Sequence, residues 1–110
     1  IPDEIDGATL GPLLSGEPSE WRDHVVITHH GNAYGLCTMR AVITDDYKYV
    51  YWPYDTAELY DRQADEWEME NRINDPAFRS VAERLHGMLL VHRQRTGDPF
   101  CLASAPPRET

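Results

Sequence analysis

The stretch from Leu36 to Trp52 constrains this chain more than any other. From Leu36 to Thr44, Cys37, Met39, Ala41 and Ile43 fall on one face of a strand and Thr38, Arg40 and Val42 on the other. Asp45-Asp46 makes a tight connection, and Tyr47-Lys48-Tyr49-Val50-Tyr51-Trp52 follows as a strand rich in aromatics. Strand, two-residue turn, strand is an antiparallel hairpin.

The flanking segments extend it. His24-Val25-Val26-Ile27-Thr28-His29-His30 is rich in β-branched residues and is expected to break at Gly31-Asn32. Pro53 stops the third strand, and Glu58-Leu59-Tyr60 adds a short fourth. Asp75-Pro76 supplies an N-cap and a first-turn proline. Phe78, Val81, Ala82, Leu85, Met88, Leu89 and His92 then recur at helical spacing, and Arg93, Arg95, Gly97 and Pro99 close the helix. Residues 1–23 carry turn chemistry around Leu10, Leu13 and Leu14, entering a short helical turn. The fold class is therefore α+β: an antiparallel sheet of three to four strands with one long C-terminal helix packed across it. The sheet's second face is expected to contact something else.

At 110 residues the chain is one domain, and its formal charge of −9 argues against a nucleic acid or an anionic membrane as partner. No apolar run approaches the ~20 residues that span a bilayer. Cys37 and Cys101 form no C-x-x-C; one disulfide is open to them, but two ordinary buried thiols are the favoured reading. Beginning at Ile1 without a leader, the chain is expected to be cut from something longer. The sequence leaves the compartment open, with a bacterial cytoplasm the favoured reading.

Candidate chemistry is sparse. In His29-His30-Gly31-Asn32, adjacent strand histidines point to opposite faces, so a shared metal needs a bend that Gly31 alone could supply. The other readings are a packed strand-end histidine and a ligand-contacting loop, since His and Asn both donate and accept hydrogen bonds. Asp61-x-Gln63-x-Asp65 begins like a calcium loop, but Glu66 stands where glycine is needed and Arg72 where a bidentate Glu belongs. A solvated acidic loop fits better. No serine sits in a G-x-S-x-G elbow, and His86 and His92 read as helix packing or surface residues.

Read in order, the motifs resemble the C-terminal portion of a sulfatase of the alkaline phosphatase superfamily. Asp6-Gly7-Ala8-Thr9-Leu10-Gly11-Pro12-Leu13-Leu14-Ser15-Gly16 resembles D-G-x-S-L-x-P-L-L-x-G, with Thr9 for the usual Ser. Met39 to Val50 resembles the family's arginine-bearing hairpin that ends in tyrosine-lysine-tyrosine. Glu58-Leu59-Tyr60-Asp61 through Asn71 resembles E-L-Y-D-L-x-x-D-P-x-E-x-x-N-L, with Arg62 for Leu and Glu66 for Pro, and Arg72-Ile73 stand for the final Leu. Asp75-Pro76, the helix and Gly97-Asp98-Pro99 complete the pattern.

The resemblance implies a lead-in segment at 1–22, a sulfatase C-terminal subdomain at 23–100 and a flexible tail at 101–110. It implies a parent that hydrolyses sulfate esters with a formylglycine and a divalent metal, usually calcium. Those groups would lie upstream of Ile1, with no catalytic residue and no metal ligand in this chain. Cys37 begins Cys-Thr-Met-Arg, not C-x-P-S-R, and is not the nucleophile. The partner implied is the upstream catalytic domain, and His29, His30 and Asn32 become candidate substrate-binding residues. The isolated chain is expected to be inert and to self-associate as a homodimer. Two alternatives stay open: a related phosphonate or phosphate ester hydrolase, and a stand-alone acidic binding module that recruits a protein through Tyr47, Tyr49, Tyr51, Trp52 and Tyr54.

Overall fold

A computed structural model describes residues 7–18, 20–32, 35–100 and 102–107, with the backbone alone for 32 and 35–37. The elements are α1 (Gly11–Ser15), β1 (His24–Asn32), β2 (Gly35–Thr44), β3 (Tyr47–Tyr51), β4 (Glu58–Asp61) and α2 (Arg79–Thr96). A 3-10 turn at Pro76–Phe78 leads into α2, and the four strands form one antiparallel sheet in the order β1-β2-β3-β4. The α+β architecture is thus the expected one.

β1 does not break at Gly31-Asn32. It runs on to pair Asn32 with Gly35 and absorbs Gly31 as an irregularity at φ 62°. Glycine takes that angle without a Cβ clash, so the strand bulges instead of ending. The Asp45-Asp46 turn is fastened from both sides. Thr44 Oγ1 accepts from the Tyr47 N–H at 3.0 Å, while Arg62 donates to the carbonyls of Asp46 and Thr44. Arg62, unusual at its position in the sequence motif, therefore holds the hairpin turn.

The caps behave as the sequence suggests. Asp75 Oδ1 accepts from the Ala77 N–H at 3.0 Å, and Gly97 ends α2 at φ 67° with its N–H on the Arg93 carbonyl. Asn71 Oδ1 accepts from the N–H groups of Leu59 (2.9 Å) and Ile73 (3.0 Å), and its amide donates to the Ala57 carbonyl (3.0 Å). The outer edge of β4 is thereby partly satisfied by a side chain.

α2 covers the Arg40 and Val42 face of β2, not the one that carries Met39, Ala41 and Ile43. Ala82, Leu85, His86 and Leu89 pack with Val42, Tyr49, Tyr51 and Leu59. The register explains it: Val42 pairs with Tyr49, and Tyr49 with Leu59, so the bulkiest side chains of three strands line up on the Arg40/Val42 face. Tyr49 and Tyr51 are consequently buried beneath the helix, which removes them from the open aromatic interface that a binding module would need. The opposite face keeps Ala41 and Val50 buried but leaves Val25 and Ile27 45% and 41% exposed.

His86 is a polar member of the core. Its Nε2 lies 2.7 Å from the Ala103 carbonyl and so carries the proton, leaving Nδ1 to accept from the Tyr49 hydroxyl at 2.8 Å. Burial holds its pKa below the ordinary imidazole value and pushes the Tyr49 phenol up. Of the expected tail, residues 102–107 are described, and they pack against the domain. Leu102 and Pro106 are buried, Ala103 donates to the Tyr51 hydroxyl at 3.2 Å, and Arg79 donates to the Pro106 carbonyl at 3.2 Å.

Candidate functional site

The bulged end of β1 carries the histidines that the sequence singles out. His29 pairs with Met39 and His30 with Thr38, so the alternation of the strand sends them to opposite faces. His29 is half-buried on the face away from α2; His30 lies on the α2 side, toward Arg40. Asn32 belongs to β1 through its backbone, and its side chain lies outside the described residues.

Around His30 the sheet builds a polar cluster that sequence reasoning missed. Arg40 sits on β2 at the parity of Val42 and is only 3% exposed. A guanidinium has five N–H donors, and each has an acceptor here. Nε and Nη2 donate to the two carboxylate oxygens of Asp98 at 2.7 and 2.9 Å. Nη1 donates to the Met39 carbonyl at 2.9 Å and faces Thr38 Oγ1 at 3.5 Å. The remaining Nη2 hydrogen faces His30 Nε2 at 3.4 Å. The guanidinium also stacks 4.0 Å above the Phe100 ring.

This arrangement defines the state of His30. With Nε2 accepting from Arg40, the proton sits on Nδ1, which donates to Thr38 Oγ1 at 3.1 Å. Both ring nitrogens are engaged, so the cluster orients the imidazole. Arg40, with every donor committed, has none left for a further ligand and holds the cluster together. Asp98 in turn accepts from the Phe100 N–H at 3.1 Å. Its pKa falls to about 2, chiefly through the Arg40 hydrogen bonds. The signal in the sequence was slight: an arginine at an inward strand position and an aspartate just past the helix-ending glycine.

The acidic segment does other work. Asp61 Oδ1 accepts from the N–H groups of Gln63 and Ala64, and Asp65 accepts from those of Met69 and Glu70. These carboxylates cap their own loop, and Asp65 is held below its ordinary pKa by those backbone bonds. Among the described residues no group of three His, Cys, Asp or Glu could hold a metal ion. The Cys37 side chain and Cys101 lie outside the described residues, and with them the question of thiols or a disulfide.

Comparison with known proteins agrees with this architecture. Residues 1–95 match the family "N-sulphoglucosamine sulphohydrolase, C-terminal". The chain is 38% identical over 71 residues to the uncharacterised sulfatase YidJ of Escherichia coli strain K12, covering 64% of this chain and 14% of that protein. It is 26% identical over 91 residues to an arylsulfatase of Clostridium perfringens, covering 82% of this chain and 18% of the relative. The solved structure of a 2-O GAG sulfatase superposes with a TM-score of 0.82 at 29% identity, over 89% of this chain and 22% of that one. The chain thus spans less than a quarter of the length of each of these relatives. A sulfatase-type order of motifs, a four-stranded sheet under one helix and a family match over most of its length place this chain in the N-sulphoglucosamine sulphohydrolase C-terminal family of sulfatases.

Proposed function

We propose that this chain serves as the C-terminal domain of an enzyme that hydrolyses sulfate esters. The match of residues 1–95 to a sulfatase C-terminal family carries the reading. The names of the family and of the relatives favour sulfate over phosphonate or phosphate, and a sulfated sugar as the organic part. The family resemblance also implies a formylglycine and calcium, but among the described residues no group of side chains fits a metal, and no C-x-P-S-R occurs in the sequence. Asp61 and Asp65 are committed to backbone N–H groups, and Cys37 lacks the C-x-P-S-R context. The chemistry belongs to a catalytic domain upstream. Sulfate release from sulfated sugars by the full-length protein, followed by ion chromatography, tests the reading. Turnover of phosphonate or phosphate esters with no release of sulfate would overturn it.

In this reading the domain packs on the catalytic domain and lends it His29, His30 and Asn32. Two apolar surfaces support the packing: Val25 and Ile27 on the open sheet face, and Leu10, Leu13 and Leu14, which are 56%, 47% and 84% exposed. The exposure of His30 supports the second part: Thr38 and Arg40 orient its ring, and a sugar hydroxyl would replace the long 3.4 Å contact to Arg40 at Nε2. For His30→Ala in the full-length enzyme we expect a higher KM with a smaller change in kcat. Unchanged constants would remove His30 from the site.

A further inference from the structure

The chain has 19 acidic residues against 10 basic ones, and its cations are distributed unevenly. Arg40, Lys48, Arg72 and Arg79 each pair with carboxylates, and Arg62 holds the Thr44 carbonyl. Arg22, Arg84, Arg93 and Arg95 form no ion pair among the described residues, and three of these four converge on one groove. Two adjoining hollows of about 810 and 400 Å³ share His24, His92 and Arg95; Arg22 lines the first and Arg84 the second.

The groove has two walls. One is the N-terminal half of β1, the edge strand of the sheet, whose outer side pairs with no other strand among the described residues. The other is a single face of α2, where Arg84, Met88, Val91, His92 and Arg95 recur at helical spacing. Arg84 and Arg95 are eleven positions apart, about 16 Å along the helix axis. That separation exceeds what one sulfate or phosphate ion can bridge. The guanidinium of Arg22 lies 5.0 Å from the centre of the Trp21 ring, and that of Arg84 lies 5.9 Å from that of Tyr47, which steadies the charges without neutralising them. Two features oppose an anion: Asp23, which lies 2.7 Å from His24 and also feels the charge of Arg84, and the carbonyl end of α2. Neutralising the helix end accounts for Arg95 but not for Arg84, which lies mid-helix, or for Arg22.

We propose that this groove binds an extended sugar chain bearing repeated sulfate or carboxylate groups. That the polyanion is a sugar and not a nucleic acid rests on the sulfatase reading above; the cationic groove itself does not. The test is fluorescence anisotropy of a labelled heparin-derived octasaccharide with the full-length protein. It reads binding without turnover, so a protein that releases no sulfate still tests the groove. The double variant Arg84→Gln, Arg95→Gln is expected to bind about tenfold more weakly. The slope of log affinity against log salt should fall by about two, since each arginine lost releases fewer counterions. Arg84→Lys with Arg95→Lys should keep most of the affinity, which separates lost charge from lost fold. Unchanged affinity in the Gln variant would overturn the proposal. So would failure of the wild-type protein to bind, as when another domain covers the groove, or equal affinity for a neutral dextran or for inorganic sulfate alone. Equal affinity for DNA of matched charge would overturn the sugar assignment.

Discussion

The guanidinium of Arg40 grips both carboxylate oxygens of Asp98, a residue 58 positions further along the chain. The pair ties the middle of the sheet to the segment leaving α2. On the way it fixes Thr38, the Met39 carbonyl and His30.

Because Arg40 is buried, removing its partner leaves a charge with no compensation. Asp98→Asn should destabilise the domain by about 3 kcal/mol in urea unfolding. Arg40→Lys keeps the charge but not the planar fork, and should recover only part of the stability lost in Arg40→Ala.

Acid should weaken the fold in two windows. His86 is held neutral, its pKa below the ordinary 6.5 because of burial. Its contribution is complete above that value and drains away as pH falls below it, because the unfolded chain then takes up the proton first. Asp98, lowered to about 2 from 3.8, contributes fully above pH 3.8 and loses that contribution as pH falls toward 2. Urea midpoints across pH should show both declines. His86→Leu should abolish the upper one and Asp98→Asn the lower.

Asn71 makes three hydrogen bonds with the backbone of Ala57, Leu59 and Ile73. Its replacement by Ala strands a donor on Leu59, a fully buried residue. A loss of about 2 kcal/mol is expected. Faster amide exchange confined to β4 and the 71–73 turn would locate the damage; uniform exchange across the sheet would contradict it.

Two glycines, one inside α2 and one at its end, should respond in opposite directions. A Cβ added at either position would meet no atom within 4 Å, but Gly97 sits at φ 67° and Gly87 has helical geometry. Gly97→Ala should cost about 1 kcal/mol, and Gly87→Ala should gain about as much, both read from thermal melts.

The elements were legible in the sequence because their causes are local. Alternation over Leu36–Thr44 marks a strand, Asp75-Pro76 starts the helix, Gly97 ends it, and Asp61 and Asn71 cap turns within a few residues of themselves. Their order also carried the family resemblance. Tertiary structure alone decided which face of the sheet meets α2, since alternation reads the same from either side. Within β2 the Met39, Ala41, Ile43 set is the more apolar, and it points away from the helix. The choice was made by burial summed across three strands, and that sum exists only once the register aligns Val42, Tyr49 and Leu59. The surroundings of His30 and the convergence of Arg22, Arg84 and Arg95 arise in the same way. They join residues distant along the chain, whose proximity no local pattern encodes.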